Sequence, residues 1–78
     1  MTDPIPTADG VIAHLNERFA ARGIAFRVEA LNVLPYVNPM WLANWQLESV
    51  PPEADRTIVE EEVADARWHF PQIYGGPP

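Results

Sequence analysis

Prolines set the limits within which this chain can form regular structure. Nine of its 78 residues are proline, and each lacks a backbone N–H and clashes with a helix that tries to continue through it. Pro4 and Pro6 mark residues 1–6 as an extended arm, and Pro35 and Pro39 mark residues 32–39 as a connection. Pro51 and Pro52 end one element, and Pro71 ends the last. Regular structure has to fit between these points.

The segment after the arm reads as a helix over residues 8–22. Thr7 is a credible N-cap, Asp9 places negative charge in the first turn, and Gly23 suits the position just past the end. Ile12, Leu15 and Phe19 recur at spacings of three and four, and Val11 widens that apolar stripe. Residues 24–31 then alternate: Ile24, Phe26, Val28 and Ala30 against Ala25, Arg27, Glu29 and Leu31, which predicts a strand with one buried face. Residues 41–49 alternate as well, placing Trp41, Trp45 and Leu47 toward the helices and Leu42, Asn44, Gln46 and Glu48 toward water or a flat contact. Asn38-Pro39 could instead start a helix there, but a strand at 24–31 needs a ladder partner, so the strand is preferred. Residues 52–70 form the second helix, with Val59, Val63, Ala66 and Phe70 on one face. Residues 72–78, which end in Gly75-Gly76-Pro77-Pro78, read as a flexible tail.

The expected fold is α+β: one small domain over residues 1–78, in the order helix, strand, strand, helix, with an antiparallel pair packed on two helices. A third short strand from residues 32–37, or pairing across a homodimer, would enlarge a meagre sheet.

Charge narrows the partners. Eleven acids oppose five bases, for a net charge of −6, and every base is arginine. Without a basic stripe, direct binding to nucleic acid or to an anionic membrane is not expected. An acidic surface attracts basic ones, which commonly belong to nucleic-acid-binding proteins. No apolar run approaches the roughly 20 residues that cross a bilayer, and no secretory signal is visible, so a cytoplasmic setting is expected.

The chemistry of catalysis is scarce. There is no cysteine and no lysine, and His14 and His69 lack any zinc-ligand spacing. Neither a nucleophile elbow nor a phosphate loop is present. The expectation is a protein that is not an enzyme and needs no cofactor or metal. The sharper signal lies in the second helix. Ile58, Glu61, Asp65 and Trp68 follow one another at spacings of three, four and three, opposite the apolar face. With Glu62 they form the expected partner-binding set: an indole anchor ringed by carboxylates that meet Arg or Lys. The competing reading tucks Trp68 and Ile58 under the 32–39 loop. Leu34 to Met40 is a second candidate recognition element, because its prolines limit the entropy lost on binding.

In size, charge and lack of catalytic groups the chain looks like small phage-encoded anti-defence proteins, including many anti-CRISPRs. That likeness is compositional and rests on no particular residues. It implies an inhibitor that mimics nucleic acid and occupies a basic surface in the host cytoplasm. The alternative is a structural or accessory subunit, of a larger complex or a phage particle, that uses an apolar interface.

Overall fold

The computed structural model describes residues 7–74. The expected arm and the end of the expected tail, residues 1–6 and 75–78, lie outside them. Helix α1 spans Ala8–Ala21, strand β1 Leu31–Asn38, strand β2 Ala43–Leu47 and helix α2 Arg56–His69, with a single 3-10 turn at Glu53–Asp55 leading into α2. The domain is α+β, with the two strands antiparallel.

Helix α1 begins and ends where its sequence says it should. The Thr7 hydroxyl accepts a hydrogen bond from the Gly10 amide at 3.1 Å, satisfying one of the free N–H groups of the first turn. At the other end Gly23 takes a left-handed φ of 77°. The Gly23 amide donates to Ala20 O and the Ile24 amide to Phe19 O, the paired bonds of a Schellman cap. Ile24 is buried beside it.

Residues 24–30 are not a strand. Their alternation is real, since Ile24 and Val28 are buried while Ala25, Arg27 and Glu29 are exposed. The backbone, however, finds its partners in side chains. Asn16 on α1 accepts from the Val28 amide at 2.7 Å and donates to the Val28 carbonyl at 3.0 Å. Arg27 bonds the carbonyls of Ile24 and Phe26. These contacts replace a ladder.

The first strand instead lies in the proline-bearing segment that reads as a connection. Leu31, Asn32 and Val33 pair with Leu47, Gln46 and Trp45, then the register slips before Asn38 pairs with Ala43. Pro35 falls inside that slip, where its missing N–H breaks no paired register. The hairpin closes through Leu42 N–H donating to Asn38 O at 2.8 Å, while the Asn38 side chain accepts from the Met40 amide at 2.7 Å. Closing this five-residue turn puts Leu42 at φ 57°, unusual for a residue other than glycine.

The core joins Val11, Leu15 and Phe19 of α1, Val59, Val63 and Ala66 of α2, and Ala43 and Trp45 of β2. Trp45 is wholly buried, and its indole N–H donates to Phe70 O at 2.7 Å. Asn44, expected on a water-facing strand surface, is buried. Its side chain donates to Ile73 O, accepts from Ile73 N at 2.9 Å and also reaches Leu34 O. The Asn44 amide donates to Pro71 O. Residues 71–74 therefore cover that side of β2, with Ile73 buried and Tyr74 bridged to Thr7. A loose tail from residue 72 does not describe Ile73 or Tyr74.

Candidate partner-binding surface

Helix α2 sorts its side chains by position. Val59, Val63 and Ala66 face the core, and Glu61, Ala64 and Trp68 recur at three and four on the far side, all exposed. Trp68 is 78% exposed, so the indole points outward rather than under a loop. Ile58 turns toward the core instead, half-buried and packed against it, because its position lies on the flank of the apolar stripe.

The carboxylates divide in the same way. Glu62, expected to meet a partner, is buried and accepts from Arg18 Nε at 2.9 Å and from Arg22 Nη1 at 2.9 Å. One turn of helix separates Arg18 from Arg22, which sets both guanidinium groups along one face of α1 toward α2. The hydrogen bond from Arg18 holds the Glu62 carboxyl below its ordinary range, against an opposing pull from burial. Both arginines are in turn held above theirs, Arg18 by Glu62 and Arg22 by Glu61 and Glu62. Glu61 is exposed but bonds Arg22 Nη2 at 3.1 Å. Asp65 is exposed, and its Oδ2 lies 3.6 Å from Nδ1 of the His69 ring. Of the expected set, then, Glu61, Asp65 and Trp68 share the outer surface, while Glu62 belongs to an internal clamp and Ile58 to the edge of the core.

The hairpin supplies what the α2 pattern lacked. Tyr36, Val37, Met40 and Leu42 are exposed, with Met40 at 84% and Leu42 at 60%. Leu42 and Trp68 are walls of one cleft of about 130 Å³, completed by Trp41, Ala64 and Arg67. An exposed leucine in a strained backbone conformation beside an exposed indole is the kind of outlier that collects at binding sites. The prolines of the 34–40 segment marked it as a candidate recognition element, but Leu42 carried no such signal. Its place in the alternation put it with polar residues. Arg67 likewise sits in the sequence as one more helix arginine, and its neighbours are visible only in three dimensions.

A second, larger groove of about 330 Å³ runs between α2 and residues 46–51. Ser49 is its one hydroxyl, Glu60 its one carboxylate, and no histidine lines it. Among the described residues, no three His, Asp or Glu side chains gather as a metal cage, and no helix is long and apolar enough to cross a membrane.

No protein-family model, curated protein or solved structure matches the chain.

Proposed function

We propose that this chain is a non-enzymatic protein-binding module that docks through Trp68 and Leu42 into an apolar cleft of a partner protein with basic groups on its rim. The exposed indole standing beside Leu42 is the observation that carries this reading. A helix gains no stability from holding Trp68 in water, whereas aromatic anchors at the centre of an interface supply much of its binding energy. Asp65, one turn before Trp68, supplies the charge that orients a basic rim. A second copy of the chain is a poorer occupant, because two molecules of net charge −6 repel each other.

Two biological forms of this module differ in what dominates the contact. In the accessory-subunit form the apolar cluster carries the affinity. This is the better supported form, because Glu61 and Glu62 are already engaged by arginines of the same chain. In the inhibitor form, of the phage anti-defence kind and acting in a host cytoplasm, the carboxylates replace nucleic acid on a basic groove. The support for it is the net charge and the exposed carboxylate of Asp65.

Ionic strength separates the two once a partner has been captured from the native host. The apolar form predicts an affinity that changes little between low and high salt, and little loss in a Glu61→Ala/Asp65→Ala double variant. The inhibitor form predicts a steep fall in association rate with salt, and a marked loss in the double variant. Binding unaltered by Trp68→Ala would remove both.

A further inference from the structure

We infer that the free edge of β1 pairs, antiparallel, with the same edge of a second copy of this chain, so that two hairpins join into one continuous sheet. The pairing goes beyond the docking reading above and uses a different part of the surface.

β1 is an edge strand without a cover. It pairs with β2 on one side, and among the described residues no main-chain hydrogen bond reaches it on the other. The register slip leaves Leu34, Pro35, Tyr36 and Val37 without paired residues on β2 as well. Successive side chains of a strand point to opposite faces, and Tyr36 and Val37 are both exposed, at 58% and 43%. This end of β1 therefore stands clear of the helices on both faces. A free edge of that kind is a row of donors and acceptors, and another extended backbone is what answers it along its length.

Charge points to a second copy. Soluble chains commonly guard a free edge against their own copies with charged side chains. Here none of the eleven acids or five arginines falls in residues 30–47, so the whole hairpin is neutral in a chain of net charge −6. The repulsion that disfavours a second copy at Trp68, beside Asp65, is weakest at this edge. Glu29 and Glu48 flank the open base of the hairpin, next to the Leu31–Leu47 pair. Antiparallel pairing carries Glu29 of each copy to the uncharged turn of the other. The length of β1 then holds the two carboxylates roughly 25 Å apart, beyond the ~8–10 Å over which exposed charges act at ordinary salt.

The pairing is also self-complementary. Antiparallel strands related by a two-fold axis each give what they receive, which is the symmetry of a closed dimer. A hairpin alone is a meagre sheet, and a second hairpin enlarges it. Pro35 has no N–H to give and removes one bond from the added ladder, so the dimer is weak and reversible.

Sedimentation equilibrium of the full chain tests this. The mean mass should rise from monomer toward dimer with a dissociation constant of roughly 10 µM to 1 mM, as befits a small interface. Added salt should strengthen the association, because it screens the repulsion between two acidic chains. Val37→Lys puts a charge on the edge at an exposed position and should weaken the dimer at least about tenfold, even though it lowers the net repulsion. A parent-like melting temperature in dilute solution shows that the variant is folded; should it not be, Tyr36→Lys replaces it with the same expectation. Trp68→Ala should dimerise as the parent does, which separates this edge from the docking surface. A monomer at every concentration up to about 1 mM, a dimer that the folded lysine variant leaves intact, or one that Trp68→Ala dissolves would overturn the proposal.

Discussion

Glu62 belongs to the most acidic run of the chain, yet its carboxylate turns inward and lies 2.9 Å from Arg18 Nε. Arg22 closes on its other oxygen at the same distance. This clamp ties α1 to α2 across their solvent-facing seam, and it changes what the negative charge of α2 is for. Part of that charge holds the domain together, and only the remainder is offered outward.

The clamp predicts an acid limb in stability. The Glu62 carboxyl is held down in the folded state by Arg18 and Arg22, so it binds protons more readily when unfolded. Its contribution is then full above the unfolded value of about 4.3 and is lost as pH falls through the folded value. Glu62→Gln should lower stability by about 1–3 kcal/mol at neutral pH, the lower part of that range applying because both arginines can rehydrate. It should also flatten the decline below pH 4. Melting curves from pH 2 to 7 for parent and variant check both, and parallel curves would exclude the clamp.

Leu42 separates backbone strain from surface function. Glycine takes a φ of 57° without the steric penalty that leucine meets, roughly 1–2 kcal/mol. Leu42→Gly should therefore keep or slightly raise the melting temperature while weakening partner capture. A fall in melting temperature with capture intact would make Leu42 a packing residue instead.

Asn44 anchors the C-terminal segment. Asn44→Ala leaves the Ile73 amide and carbonyl without partners in a buried site, and should destabilise by about 2–4 kcal/mol. Hydrogen exchange at the Ile73 amide should accelerate well beyond that of α1 amides. Equal exchange in parent and variant would show that residues 71–74 are held by something other than Asn44.

Phe19 tests the core. It is wholly buried, and Phe19→Ala should lose about 3–5 kcal/mol in denaturant unfolding. A loss below 1 kcal/mol would mean that Phe19 does not pack in the core.

Where the sequence and the fold agree, the signal is local. Thr7, Gly23 and the stripe through Leu15 and Phe19 act within a few residues of themselves, so α1 could be read to within one residue of its end. The Val59–Val63–Ala66 face of α2 was legible for the same reason. The β pair was legible in kind and in order but misplaced on its first member. Alternation at Ile24, Phe26 and Val28 reports which side chains are buried, and it is silent on whether the backbone pairs with a strand or with Asn16. Pro35 argued for a connection, yet a strand tolerates it where the register slips. Among the surface residues, Trp68 and Asp65 could be found from helical spacing. Glu62 could not be told from Glu61 without knowing that α1 brings two arginines to that side. Leu42 was invisible because its place depends on a turn conformation, and Arg67 because its neighbours, the Trp41 and Trp45 rings, come from a distant part of the chain.

Trp68→Ala, followed in parallel by thermal melting and by affinity for the captured partner, bears hardest on the docking surface. With the indole outward, the melting temperature should stay within a few degrees of the parent while binding weakens by about 2 kcal/mol or more, some thirty-fold. A large fall in melting temperature with unaltered affinity would place Trp68 in the architecture of the fold and leave the module without its anchor.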